Sequence, residues 1–493
     1  MELKSFPSKA DFVELSKEYN VIPVCKTILA DSDTPVSLLR KAYRKGMPLF
    51  LLESVEGGEK FGRFSFLGIS AKYILKVFKN KIRVSSFNKI EEFEHNNDPI
   101  AKLREFTDRF KAAPIKELNG FYSGLVGYMT YEMVSFFEKI PNKIPNNEPM
   151  ALFMVPDSML IFDNLLHTVT LVSVGFLDKA SDPATLYDAT RARLDGLMSV
   201  FESSVPEEEK FECESAELVP VMEKERFKEN VNKLKQHIID GDIIQTVISQ
   251  PFVSPLFFNP ISLYRAQRYI NPSPYLFYFQ SDDIVIAGSS PETMVKVKNN
   301  EATLRPIAGT RPRGKSEQED RSLADDLLSD EKEKAEHLML VDLGRNDLGR
   351  IAEKGSVLVT DLMFVERYSH VMHLVSNITC NLKKGIDVWD VIKATYPAGT
   401  LSGAPKVRAM ELISEYEEHP RGPYGGAVGY IDFSGNMDFA ITIRTAVIKD
   451  NQVVVRAGAG IVADSDSEME YMETINKSKS IERAVSLIGR SLI

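Results

Sequence analysis

Two pairs of glutamates stand three residues apart on segments that read as helices. Glu333 and Glu336 lie in Glu331-Lys-Glu-Lys-Ala-Glu-His-Leu-Met-Leu, and Glu470 and Glu473 in Ser467-Glu-Met-Glu-Tyr-Met-Glu-Thr-Ile-Asn-Lys. Residues i and i+3 of a helix project from one face, so each pair can aim two carboxylates at a shared point. Hard oxygens from two helices suit Mg²⁺ and leave positions for water and substrate. A single such pair is more often a solvated acidic face. The first pair, however, runs into apolar 338–341 and then the polar string Asp342-Leu-Gly-Arg-Asn-Asp347, expected to follow a buried helix.

Small residues complement the acids. Gly399-Thr400-Leu401-Ser402-Gly403-Ala404-Pro405-Lys406 and Gly458-Ala459-Gly460, the latter expected just past a strand, let backbone N–H groups approach an anion closely. Arg444 lies in Ala440-Ile-Thr-Ile-Arg-Thr-Ala, which reads as a strand. Alternation sets it beside Ala440, Thr442 and Ala446, opposite Ile441, Ile443 and Val447. A covered arginine there demands an anionic partner; a solvated arginine or an ion pair to another strand fits the pattern equally. His373 alternates with Val371 and Val375 and so faces the buried side of a strand, where a lone histidine is more often a satisfied core residue. Glu292, in Gly288-Ser-Ser-Pro-Glu-Thr, reads as a turn carboxylate. The combination fits a Mg²⁺-assisted enzyme acting on a small dianion.

The elements that must position these groups belong to a chain of 493 residues, too long for one ordinary core. The 43% hydrophobic and 26% charged shares are those of a soluble globular protein, and a net charge of −10 without a basic run argues against nucleic acid. Three scattered cysteines and an N-terminus without signal-peptide character predict a cytoplasmic protein, and no apolar run is long enough for a membrane. An acidic linker is expected at 203–222, between regions 1–202 and 223–493. Helices are expected at 35–43, 100–110, 184–201, 322–340, 387–394 and 468–488, with another where Phe227, Val231, Leu234 and Ile238 recur before Gly241. Strands are expected at 73–77, 82–87 and 158–172, then as a meander of 284–287, 294–297 and 302–306 turning at Asn299-Asn300, and at 427–433, 438–449 and 452–458. Strands outnumber βαβ units, so the fold class is α+β, a large two-part assembly around packed, mostly antiparallel β-sheets flanked by helices.

These words together resemble the chorismate-utilising enzyme family, most closely its anthranilate-forming branch, over roughly residues 20–485. The resemblance implies Mg²⁺ held by Glu336 and Glu473, with Glu333 and Glu470 reaching it more loosely or through water. It assigns Arg444, Tyr424 and Gly458, Ala459 and Gly460 to the enolpyruvyl side of chorismate, and Gly309, Thr310, Thr400 and Lys477 to the same pocket. His373 is implied beside the substrate ring, and Glu292 as the acid that protonates the departing C4 hydroxyl.

Relatives that add water to chorismate carry a lysine where this chain has Gln245, which cannot deprotonate water. Aminodeoxychorismate synthases carry a nucleophilic lysine where Ala308 stands. Direct attack of ammonia and elimination of pyruvate to anthranilate remain. No cysteine sits in the Gly-x-Cys-x-Gly elbow of an amidotransferase, so a separate glutamine amidotransferase subunit is expected to supply ammonia. Leu51-Leu52-Glu53-Ser54 and Asn271-Pro-Ser-Pro274-Tyr275-Leu276 resemble the segments that hold inhibitory L-tryptophan. Ser467 departs from the proline that many relatives have there. The alternatives are an aminodeoxychorismate synthase component I and a catalytically silent, tryptophan-sensing scaffold.

Overall fold

Two long strands rich in aromatic and aliphatic residues, Phe64–Val77 and Ala151–Asp163, form the corner of the molecule. They pair antiparallel, with register shifts between Gly68 and Tyr73 that bend both. Half of each strand therefore belongs to one sheet and half to another. The computed structural model describes residues 2–54, 62–87, 89–118, 120–207, 217–368 and 371–489.

The first sheet runs Glu2–Phe6, Val21–Leu29, Thr168–Phe176, the corner, Leu49–Glu53, Tyr275–Ser281, Ile284–Ser290, Thr445–Lys449, Gln452–Ile461 and Gln245–Pro255. The second runs Lys89–Glu94, Lys81–Ser86, the corner, Gly124–Met129, Ala427–Asp432, Met437–Ile441, Thr293–Lys298, Glu301–Leu304 and Val371–Asn381, which also pairs with Ile307–Pro312 and Leu358–Arg367. Every one of these pairings is antiparallel, as the excess of strands over βαβ units requires. Strands from both sides of the acidic stretch share both sheets: Leu276 pairs with Glu53, and Ala427 with Met129. The middle of that stretch, 208–216 with Cys213, lies outside the described residues, as do Ser369 and His370.

Facing sides of the two sheets meet in one apolar layer, where Phe50, Phe277 and Ile286 of the first pack with Val126, Met154 and Val428 of the second. Tyr128 and Phe279 cross this layer edge to face at 5.9 Å. Helices cover the outer sides. Pro183–Glu202, Pro260–Ile270 and Ser467–Gly489 bury leucines and other apolar residues on the first sheet, and Lys406–Tyr416 packs Ala409 and Leu412 against its last strands; Glu331–Gly349 and Val388–Thr395 cover the second. Among the described residues no helix is long and apolar enough to cross a membrane.

Several expectations need correction. The helix expected at 322–340 is two, Glu317–Ser329 and Glu331–Gly349. Asp330 separates them and caps the second, accepting from the N–H groups of Lys332 and Glu333 at 3.0 and 3.2 Å. The polar string 342–347 continues this helix instead of following it. The expected meander is divided: Ile284–Ser290 lies in the first sheet, while Thr293–Lys298 and Glu301–Leu304 form a hairpin in the second. Asn299 and Asn300 turn that hairpin, both at positive φ. Gly458-Ala459-Gly460 lies inside the strand Gln452–Ile461, not past it. The strand expected at 438–449 breaks into Met437–Ile441 and Thr445–Lys449, because the chain changes sheets there.

Candidate active site

The chain crosses between the sheets at Pro291-Glu292 and returns at Thr442-Ile443-Arg444. These crossings lie side by side, the Ile441 N–H donating to the Glu292 carbonyl at 3.0 Å and the Ser289 N–H to the Arg444 carbonyl at 3.3 Å. Arg444 adopts a left-handed φ of 50° and is exposed, so strand alternation does not describe its direction. A cavity of about 930 Å³ opens at this point. It is closed by the ends of both sheets and by the helices Glu331–Gly349 and Ser467–Gly489.

Glu292 is 8% exposed, and its Oε1 accepts the Thr400 hydroxyl at 2.9 Å. Burial pushes its carboxyl up to about 8, against the opposing pull of the Thr400 hydrogen bond and the Arg444 charge. A carboxylic acid therefore faces the cavity at neutral pH. His373 is buried, with Nδ1 2.8 Å from the Gly309 carbonyl and 3.1 Å from the Thr310 hydroxyl. A carbonyl can only accept, so Nδ1 carries the hydrogen and Nε2 the lone pair. Burial lowers the imidazole below its ordinary value, which keeps it neutral.

The two helices supply the acidic wall: Glu336, Glu470 and Glu473 all line the cavity. The Gln245 amide donates to Glu336 at 3.1 Å, and Glu473 pairs with Lys477 at 2.6 Å. Lys477 also donates to the Gly458 carbonyl at 2.9 Å. Burial raises the Glu470 carboxyl, a Ser465 hydrogen bond opposes this, and the neighbouring Glu473 charge adds to it. Burial and then the Glu336 charge likewise raise Glu333. The three carboxylates outnumber their one ion-pair partner, Lys477, and an all-carboxylate donor set suits a hard divalent cation. Among the described residues no group of three or more His, Cys, Asp or Glu side chains stands close enough together to hold a metal ion. Glu333 is engaged elsewhere, by Arg311 at 3.3 Å, and does not line the cavity.

The opposite wall is the strand Gln452–Ile461. A Cβ on Gly458 would lie 2.8 Å from the Tyr424 hydroxyl and 2.9 Å from the Ile248 carbonyl; one on Gly460 would lie 3.1 Å from the Gln245 amide. Gly458 and Gly460 thus bring bare backbone to the cavity, while Ala459 turns to the other face and is buried beside Ile248 and Leu412. Thr310, Thr400, Tyr424, Arg444 and Lys477 line the cavity; Gly309 acts from behind, through its carbonyl on His373. Sequence reasoning missed Arg456, which also lines it. Its signal was a charged residue inside the apolar run Val453-Val454-Val455-Arg456-Ala457.

A second cavity of about 940 Å³ lies between the sheets, lined by Ser54, Pro274, Tyr275 and Leu276 among others. The Tyr275 hydroxyl donates to Asp438 at 2.8 Å and lies 3.0 Å from the Thr293 hydroxyl. The segment between the cavities is shared, since Asn271, Pro272 and Ser273 line the first.

A buried carboxyl shifted upward, a buried histidine, an acidic wall, a bare-backbone wall and two arginines thus gather on one cavity of an α+β, two-sheet fold. The profile of chorismate binding enzymes matches residues 50–483, and the chain belongs to that family. It is 44% identical over 487 residues to anthranilate synthase component 1 of Aquifex aeolicus (strain VF5), covering 97% of each chain. It is also 44% identical over 493 residues to the protein of that name from Pseudomonas putida, covering 97% of this chain and 98% of that one. The crystal structure of anthranilate synthase component I from Streptococcus pneumoniae TIGR4 superposes with a TM-score of 0.73 at 36% identity, over 92% of this chain and 99% of the other.

Proposed function

We propose that this chain is the large subunit of an anthranilate synthase, converting chorismate and ammonia to anthranilate, pyruvate and water. The observation that carries this reading is Glu292, a carboxyl held protonated by burial and oriented by Thr400 on a cavity that also presents cationic and acidic walls. Arg444 and the amides around Gly458 and Gly460 receive the enolpyruvyl carboxylate. Glu336 and Glu473, with Glu470 beside them, would hold Mg²⁺, which supplies positive charge for the ring carboxylate when bound.

Glu292 gives its proton to the C4 oxygen, which leaves as water while ammonia bonds to C2 and the ring double bonds shift. The new ammonium loses a proton. Loss of the C2 hydrogen then drives out the enolpyruvyl group, which takes up a proton to become pyruvate as the ring aromatises. His373, neutral with a bare Nε2, orients the ring or moves a proton beside it. Gln245 has no basic nitrogen and Ala308 no nucleophile, which disfavours hydration and an enzyme-bound intermediate.

Ammonia comes from a glutamine amidotransferase subunit, because no cysteine of this chain lies in a nucleophile elbow. L-tryptophan binds in the second cavity, where Ser54, Pro274, Tyr275 and Leu276 gather, and opposes closure of the first. Region 1–202 contributes part of that site and region 223–493 the catalytic one. The setting is the cytoplasm, in keeping with free, buried Cys25 and Cys380.

The test is the product made from chorismate, Mg²⁺ and an ammonium salt. Fluorescent anthranilate with equimolar pyruvate supports the assignment. A non-aromatic aminated product would move the chain to the aminodeoxychorismate reaction, and no turnover would favour a silent scaffold.

A further inference from the structure

Behind the catalytic cavity lies a cluster of buried charges that the mechanism above does not use. Glu417, at the end of the helix Lys406–Tyr416, accepts from two guanidinium groups. Arg421 reaches it through Nε at 3.0 Å and Nη2 at 2.7 Å, and Arg456 through Nη2 at 2.8 Å. The Ser249 N–H and hydroxyl add bonds at 2.8 and 2.9 Å. All three charged side chains are at most 5% exposed. Burial resists ionisation of Glu417, but the two guanidinium charges prevail and hold its carboxyl below the ordinary range. Arginine remains charged even when buried.

The remaining donors grip the cavity wall. Arg421 Nη1 donates to the Leu401 carbonyl at 2.6 Å and Nη2 to the Val247 carbonyl at 2.7 Å, and both residues line the cavity. Tyr424 follows Arg421 by three residues, and Gly458 follows Arg456 by two. Among the described residues the cluster contains two cations and one anion within ion-pair distance, leaving one positive charge that is buried at a net cost unless an anion approaches. Arg456 is among the residues that line the cavity, and its guanidinium stays buried, donating to Ser249, Pro420 and Glu417.

We infer that the Arg421–Glu417–Arg456 cluster is an electrostatic floor for the substrate dianion, with Arg456 its specificity-determining charge and Arg421 the residue that positions the Tyr424 and Leu401 segments. The inference rests on chorismate as substrate. Glu132 lies behind the cluster and accepts the Arg421 and Gly422 N–H groups at 2.6 and 3.1 Å. Arg421 and Arg456 face it with positive charge, and Tyr131 and Tyr396 face it as neutral phenols. Burial pushes its carboxyl up to about 7, so its ionisation above that pH cancels the surplus.

Three variants of the full chain, assayed with chorismate, Mg²⁺ and ammonium, test this. Arg456→Gln keeps a donor for Ser249 but loses the charge: KM for chorismate is expected to rise at least tenfold, with kcat within threefold of wild type. Arg456→Lys restores the charge without the fork, and its KM is expected within threefold of wild type. Glu132→Gln is expected to match wild type at pH 6 and to have the lower KM at pH 8; Glu292 and His373 titrate in both proteins, so the ratio isolates Glu132. Equal impairment of Arg456→Gln and Arg456→Lys, or a fall in kcat with unchanged KM, overturns the inference in favour of plain packing. So does a Glu132→Gln to wild-type KM ratio that is constant with pH. A wild-type chain that makes no anthranilate would instead sink the functional reading and the inference together.

Discussion

Replacing Glu292 by Gln tests whether burial has turned a carboxylate into an acid. At pH 7 a carboxyl at about 8 is protonated in roughly nine molecules of ten, whereas one at its ordinary value would be so in roughly one of 300. The cavity therefore raises the available acid about 300-fold. Glutamine preserves the shape and can still accept the Thr400 hydroxyl, yet has no proton to give. Loss of general acid catalysis typically removes about 10²–10⁴ in rate, roughly 2.7–5.5 kcal/mol of barrier. The assay is anthranilate fluorescence with free ammonia held constant across pH, since ammonium itself titrates. The acid is the reactive form, so wild-type kcat is expected to be level below neutrality and to fall as pH rises through about 8. The Thr400 hydrogen bond favours the ionised form, so Thr400→Val is expected to move this alkaline limb to higher pH. A Gln variant with more than a tenth of wild-type kcat, or a wild-type profile level to pH 9, would refute the reasoning.

Gly458→Ala places a methyl 2.8 Å from the Tyr424 hydroxyl and 2.9 Å from a backbone carbonyl; KM for chorismate should rise tenfold or more, about 1.4 kcal/mol, and an unaltered KM contradicts the close-approach role. Glu336→Gln and Glu473→Gln should each abolish Mg²⁺ binding in calorimetry and turnover in the assay, whereas Glu333→Gln, whose partner is Arg311, should weaken Mg²⁺ binding far less. Ser54→Phe should leave turnover with ammonium intact and remove inhibition by tryptophan; retained inhibition would place the effector elsewhere. Glutamine alone should support no anthranilate formation until an amidotransferase subunit is added, which product fluorescence will show directly.

Much of what lines the candidate site was legible because its signals are local. The Glu-x-x-Glu spacing on Glu331–Gly349 and Ser467–Gly489 needs only helical geometry, and Gly458 and Gly460 need only the absence of a side chain. Arg444 was misread for a non-local reason: apolar residues continue through 438–449 although the chain leaves one sheet for the other at 442–444, and alternation holds only within a strand. Asp330 was similarly missed because a cap between two helices leaves the apolar periodicity almost unbroken. Arg456 was hidden because its partners, Glu417 and Ser249, are 39 and 207 residues away.

The sequence by itself determined the strand-rich α+β class, the carboxylate pairs, the bare-backbone segments and the lack of an amidotransferase elbow, since each follows from residue type and short spacing. Tertiary structure alone decided that Glu292 is buried with its carboxyl pushed up to about 8, that His373 turns Nδ1 to the Gly309 carbonyl, and that Arg421 and Arg456 share one buried Glu417. Protonation and field depend on how much water a group loses and on which charges surround it, and these are properties of packing between residues up to hundreds of positions apart.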